Sequence, residues 1–180
     1  MITPFIKTKK LILRPLSILD AEEVFLGWSG DPEATRFLEW DRHRNVMSAI
    51  KWLSALENAA LSDRNYTWGI VQEGTGELVG TCGIVYKPEE ALFELGYVLD
   101  KRHWGRGIAS EAVEEITRFA KEKLGLTALY AKCAKENPAS RRVLEKAGFV
   151  FQREGTYSRR SGNISFESSE YLLKMGDAKA

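Results

Sequence analysis

The chain has 180 residues, 44% of them hydrophobic, enough apolar content for one sizeable core and most simply one domain spanning 1–180. Lys and Arg total 26 against 25 Asp and Glu, a formal charge of +1, which excludes the broad basic footprint of a chain that wraps nucleic acid or an anionic membrane surface. The apolar runs are too short to cross a bilayer, and MITPFIKTKK lacks the apolar core and cleavage site of a secretory signal, so the cytoplasm is the expected location.

In chain order, KKLILRPL (Lys9 to Leu16) reads as an opening strand stopped by Pro15. Asp20 and Glu23 have capping-box spacing for a short helix, AEEVFLGW, and DPEATRFL repeats the signal with Pro32 at a first helical position. From Arg44 to Leu61, Val46, Ile50, Leu53, Leu56 and Ala60 recur at helical spacing. YTWGIVQ and ELVGTCGIVYK, separated by EGTG, predict a hairpin, and LFELGYVL a further strand. A helix from Ile108 to about Leu124 follows, with Gly125 placed to end it. LTALYAKCA (Leu126 to Ala134) is then a strand reached through a helical crossover, so it runs parallel to the strand before that helix. Asn137 and Pro138 open a last helix ended by Gly148, and FVFQREGTY and ISFESSEYLLKM complete a mixed α/β (α+β) domain with a mostly antiparallel sheet. Cys82 and Cys133, isolated and in strand-like surroundings, read as small core side chains. His43 and His103 suit surface positions, and neither has the neighbours a metal site requires.

The segment DKRHWGRGIAS places Gly105 and Gly107 between a strand and the mouth of a helix. Glycines there can take positive φ and bring main-chain N–H groups close to an anion, while the helix dipole and Arg106 add positive potential. A Walker loop is excluded, because GxxxxGK[ST] is absent, and a dinucleotide-binding turn would want Gly or Ala where Ser110 stands. A ligand-free turn is the alternative reading of the glycines alone.

With Arg102, Gly105 and Gly107 the segment resembles the acetyl-coenzyme A motif of the GNAT acetyltransferase superfamily: Gln or Arg, two residues, Gly, one residue, then Gly or Ala. LILRPL, FELGYVLD and ENPASRRVLEKAGF extend the resemblance over nearly the whole chain, toward the ribosomal-protein N-terminal acetyltransferase (RimJ/RimL-like) branch. The resemblance implies the GNAT fold, a sheet with a V-shaped split between two parallel strands, the ones ending near Leu99 and Ala134. It implies transfer of acetyl from acetyl-CoA to a primary amine, with a protein N-terminus as the leading acceptor. A small-molecule amine, or a non-catalytic acetyl-CoA-binding module, is the alternative. Neither nucleic acid nor membrane is an expected partner, no metal is expected, and the chain is expected as a monomer or homodimer.

Acetyl transfer needs a neutral amine, a polarised carbonyl and a stabilised thiolate. The resemblance implies a backbone N–H in the Tyr97 to Leu99 region at the carbonyl, with Val98 the expected residue. Glu94 is the candidate base, unless it is merely an outward-facing strand residue. The tyrosine that many superfamily members place near the sulfur is replaced here by Leu144. Ser140, as in the RimJ/RimL-like branch, is the candidate hydrogen-bond donor, or else only a helix-surface hydroxyl. The implied cofactor-binding set is Val98, Leu99, Arg102, Trp104, Gly105, Arg106, Gly107, Ile108, Ala109, Asn137, Ser140 and Arg141. The segment from about Trp28 to Leu61 would help form the acceptor cleft, where Asp31, Glu33, Glu39 and Asp41 concentrate negative charge and Arg36, Arg42 and Arg44 dilute it.

Overall fold

A computed structural model describes residues 3–176; residues 1, 2 and 177–180 of the expected domain lie outside that range. Eight strands make one sheet: β1 (Ile6–Lys7), β2 (Leu11–Arg14), β3 (Asn65–Gln72), β4 (Leu78–Lys87), β5 (Leu92–Leu99), β6 (Ala128–Ala134), β7 (Val150–Ser158) and β8 (Ser165–Lys174). Their spatial order is β1-β2-β3-β4-β5-β6-β8-β7. Every pairing is antiparallel except β5–β6, the crossover pair. The fold is thus the mixed α/β sheet that the element order predicts.

Alternation along the strands supplies two apolar faces. Leu13, Trp68, Ile84, Leu95 and Leu129 pack with α3 (Ile108–Leu124) and α4 (Pro138–Lys146). On the other face Leu16, Val71, Leu78 and Val98 meet α1 (Ala21–Val24) and α2 (Val46–Ala59). In α3 the residues Ala112, Val113, Ile116 and Ala120 are fully buried, at the spacing that puts them on one stripe. Asn45 caps α2 by accepting from Ser48 N, and Gly125 ends α3 at φ +65°.

The parallel pair is short. Register is recorded at Phe93–Leu129 and Glu94–Tyr130, after which β5 and β6 part, while β6 stays paired with β8 from Ala128 to Ala134. Trp104 Nε1 donates to Leu99 O at 3.0 Å, so an indole satisfies a carbonyl that a neighbouring strand would otherwise have taken.

Several expectations need correction. The capping box is formed by Ser17 and Asp20, not by Asp20 and Glu23: Ser17 Oγ accepts from Leu19 N, and Asp20 Oδ2 accepts from Ser17 N at 2.8 Å. Asp20 also takes a two-pronged contact from Arg14, at 2.9 and 2.7 Å, which leaves it no reason to turn toward α1. AEEVFLGW is helical as expected, but α-helical only over Ala21–Val24: from Phe25 to Ser29 it widens to a π-helix, ended by a bond from Gly30 N to Phe25 O at 3.0 Å. DPEATRFL caps as predicted, with Asp31 Oδ1 accepting from Glu33 N and Ala34 N, but makes turns and not a regular helix. The opening strand is shorter than Lys9 to Leu16 and pairs with β1, a strand that periodicity did not announce. His103 is buried, 6% exposed, with Nε2 3.3 Å from Glu77 Oε1. His43 is half-buried, its Nδ1 2.8 Å from Ser29 Oγ, and burial holds its imidazole below the ordinary value. Cys82 and Cys133 are buried free thiols.

Candidate active site

Where β5 and β6 diverge the sheet opens into a cleft of about 750 Å³. One end is the mouth of α3. Gly105 and Gly107 sit at φ +73° and +78°, and a β-carbon built on either would meet nothing within 4 Å, so the space above the turn is open. Gly107 is the N-cap and has no side chain with which to cap. The first helical bond is Glu111 N to Gly107 O, so the N–H groups of Ile108, Ala109 and Ser110 precede the helical ladder, and these three residues line the cleft. Unpaired N–H groups, the helix dipole and absent β-carbons fit a diphosphate.

Trp104 shares this wall, but Arg102 does not reach it. Asp100 Oδ2 accepts from Arg102 Nε and Nη2 at 2.9 and 2.5 Å, and Glu77 lies 3.5 Å from the same Nη2. Arg106 is exposed and off the wall. At α4, Asn137 and Ser140 line the cleft together with Arg142, not Arg141, whose Nη2 donates to Lys135 O at 3.3 Å.

Strand parity decides what β5 offers to the gap. Asp100 N donates to Val79 O at 2.9 Å, and Gly80 faces Leu99 in the same register. Even-numbered residues therefore turn their N–H and C=O toward β4, and odd-numbered ones toward the split. Tyr97 and Leu99, and not Val98 as expected, aim their N–H groups into the gap. Side chains alternate too: Tyr97 packs on the α3/α4 face and Val98 on the α1/α2 face. Glu94 has the parity of Val98.

Glu94 lies in a nest of charge, its side chain 13% exposed, with Lys87 Nζ at 2.9 Å and Lys132 Nζ at 3.6 Å. Glu39 pairs with both lysines, closely with Lys132 and at 3.6 Å with Lys87. Burial by itself pushes the Glu39 carboxyl up, but the two ammonium groups outweigh it and hold the group below the ordinary carboxylate range. Burial pulls Lys87 down, and Glu94 and Glu39 more than restore it. Lys87 and Lys132 went unrecognised in the sequence because their partners, Glu39 and Glu94, come from two segments far apart in the chain. Trp40, Trp52 and Leu56 supply apolar wall beside this quartet.

On the opposite face, Ser140 N donates to Asn137 Oδ1 at 3.0 Å, and Ser140 Oγ lies 2.8 Å from the Tyr97 hydroxyl. Both residues line the cleft. Tyr97 was the other residue missed; the only signal for it was its place in GYVL, three residues after Glu94. Among the described residues no cluster of three or more His, Cys, Asp or Glu side chains could hold a metal, and no helix is long and apolar enough to cross a membrane.

A sheet that opens between two parallel strands where a helix mouth faces the gap gives an extended thioester arm a strand's place, with an acceptor approaching from the other face: the design of an acyl-coenzyme A N-acyltransferase. Residues 10–150 match the family model for the acetyltransferase (GNAT) domain, and the chain belongs to that family. It is 34% identical to the uncharacterized N-acetyltransferase YoaA of Bacillus subtilis (strain 168) over 153 residues, 84% of this chain and 85% of that protein. A GNAT-family acetyltransferase structure from Bacillus anthracis superposes with a TM-score of 0.78 at 22% identity, covering 95% of this chain and 98% of the other. RimL, a ribosomal L7/L12 alpha-N-protein acetyltransferase solved with coenzyme A, gives a TM-score of 0.81 at 16% identity over 98% and 100% of the two chains. The chain is an N-acetyltransferase with acetyl-CoA as its cosubstrate.

Proposed function

We propose that the acceptor is the N-terminal amine of a protein or peptide, with Glu94 as base and Ser140 as the donor to the leaving sulfur. The observation that carries this reading is the placement of the two groups on opposite faces of the split strand, with the gap between them. Acetyl-CoA, when bound, supplies the activated acetyl group. The N–H groups of Ile108, Ala109 and Ser110 would hold its diphosphate, with Gly105 and Gly107 giving it room. Trp104 and Asn137 flank the arm. The N–H groups of Tyr97 and Leu99 are oriented to polarise a carbonyl in the gap. An amine arrives mostly protonated near neutral pH, its ordinary pKa being roughly 7.7–8.0 for an α-amino group. Glu94, directly or through water, takes the proton that the nitrogen must shed. Lys87 and Lys132 keep that carboxylate oriented and its charge balanced. Ser140 presents a hydroxyl where negative charge grows on sulfur. The fold likeness to RimL and the branch resemblance of ENPASRRVLEKAGF support the protein N-terminus over a small amine.

The test is release of free thiol from acetyl-CoA on addition of an acceptor panel, read with intact-mass analysis of the products. Peptides with free N-termini are expected to gain one acetyl group and the same peptides with blocked N-termini none. Turnover confined to polyamines, free amino acids or amine antibiotics would replace the acceptor assignment. Saturable acetyl-CoA binding without thiol release across the whole panel would leave a binding module.

A further inference from the structure

The superfamily's tyrosine position near the sulfur is Leu144 here, and Leu144 is 1% exposed in the core. A tyrosine hydroxyl nevertheless reaches this part of the cleft from the opposite wall. Tyr97, on β5, brings its hydroxyl to 2.8 Å from Ser140 Oγ and 3.3 Å from Ser140 O. We infer that Tyr97 is a positioning residue: its phenol donates to Ser140 Oγ and so leaves the serine's own proton directed at the sulfur that departs from the acetyl group. This rests on the acetyltransferase reading of the cleft and adds to it a residue that the serine needs.

The inference follows from counting donors and acceptors. A serine hydroxyl has one proton and two lone pairs, and left alone it rotates to whatever partner is nearest. The Ser140 main chain is already fixed, because its N–H is spent on Asn137 Oδ1 at 3.0 Å. The remaining freedom is rotation about the Cβ–Oγ bond. The phenol's one proton has two acceptors, Ser140 Oγ at 2.8 Å and Ser140 O at 3.3 Å; given to the nearer Oγ, it restricts that rotation and the serine's own proton must point elsewhere. If the phenol accepts, the proton that the sulfur needs is consumed in the wall. Burial pushes the Tyr97 phenol up, against a smaller opposing effect of Ser140, so Tyr97 stays protonated and keeps a proton to give. Negative charge growing on sulfur selects the arrangement in which Ser140 donates, since a donor aimed at developing charge in a water-poor site is worth more than one between two neutral hydroxyls. No proton leaves the phenol, and the sulfur departs as a thiolate held by one hydrogen bond. Burial pushes the Cys133 thiol up, offset in part by Arg141 and Ser140, with Glu145 acting in the direction of burial.

The experiment measures the pKa of the bound coenzyme A thiol by its ultraviolet thiolate absorbance, in the wild type, Tyr97→Phe, Ser140→Ala and the double variant. Burial pushes the Cys82 and Cys133 thiols up, and the titration of each variant without coenzyme A is subtracted so that only the bound thiol is read. The bound thiol is expected to be more acidic in the wild type than in Tyr97→Phe by about one unit, the size of a single well-aimed donor. Ser140→Ala should show the same shift and the double variant no more. In parallel, Tyr97→Phe should lower kcat roughly tenfold with the KM for acetyl-CoA within about twofold, an interaction made mainly in the transition state. An unchanged thiol pKa in a folded, coenzyme-binding Tyr97→Phe overturns the assignment and leaves the acetyltransferase reading standing. Shifts in Tyr97→Phe and Ser140→Ala that add in the double variant also overturn it, because Tyr97 would then act on sulfur without Ser140. A thiol shift in an enzyme that transfers acetyl to no amine would do the reverse: the Tyr97–Ser140 pair would stand and the acceptor reading would fall.

Discussion

Gly107 is constrained by its backbone and not by crowding. Its φ of +78° disfavours any L side chain, although a β-carbon there would touch nothing in the free protein. Gly107→Asp therefore costs about 1–2 kcal/mol of backbone strain, and it also sets a carboxylate at the helix mouth, where the dipole serves an anionic ligand. A folded variant with a modestly lower Tm and acetyl-CoA affinity weakened at least about tenfold is expected by calorimetry; equal affinities would take the turn out of the cofactor site. Glu94 poses the opposite problem, a charge with two cationic neighbours and a chemical role to support. Glu94→Gln should reduce turnover most near neutral pH and recover in part as pH rises, because the amine then sheds its proton without a base. Lys87, at 2.9 Å from that carboxylate, is left partnered by Glu39, so the variant should still fold. A pH–rate profile parallel to the wild type would return Glu94 to a purely structural role.

At the level of elements, capping was the most legible feature. Asn137 and Gly125 act where the sequence placed them, because a cap depends only on residues within one turn; Asn45 caps its helix by the same local geometry without having been singled out. The same locality explains the error at Asp20. Ser17 stands three residues before Asp20, the same spacing as Asp20 to Glu23, and only Arg14 from β2 decides which box forms. Asp20 is pulled two ways: burial pushes its carboxyl up, while Arg14 and the Ser17 N–H outweigh burial and hold it below the ordinary value. A carboxyl depressed in the folded state adds stability above its unfolded pKa, and that stability is lost as pH falls through the folded one. Tm should therefore decline on acidification below about pH 4, and Asp20→Asn should lower Tm at neutral pH while flattening the acid slope. An unchanged acid slope would show that the Arg14 pair adds nothing beyond its geometry. Strand order and the parallel crossover were also readable, since hairpin turns and a connecting helix announce them. Tyr97 was not readable, because nothing in GYVL says that its phenol meets a serine 43 positions away.

Across the whole molecule, the acceptor side is built by segments the sequence keeps far apart. The end of β7 and the loop after it clasp the turns that follow α1: the Tyr157 hydroxyl donates to Phe37 O at 2.6 Å, Arg159 Nη2 to Arg36 O at 2.7 Å, and Arg160 N to Glu39 O at 2.7 Å. These bonds hold the backbone from which Glu39 reaches Lys132, so the charge quartet around Glu94 depends on a hairpin roughly 120 positions downstream of the residues it grips. Long-range closure of this kind leaves no trace in periodicity, and the local signals around Trp28 to Leu61 point to the acceptor wall but not to what secures it. The cofactor end, by contrast, is formed within the stretch from Leu99 to Ser110 and at the start of α4, and no bond of the clasp reaches it. Tyr157→Phe removes one hydrogen bond, about 1 kcal/mol in a partly buried setting, and keeps the ring that packs 5.1 Å from Phe166. The acceptor KM should rise several-fold with acetyl-CoA affinity within about twofold, because only the Glu39 side of the cleft loosens. Steady-state kinetics with the acceptor and acetyl-CoA varied in turn provide the measurement, and equal losses at both substrates would show that the two ends of the cleft move as one body.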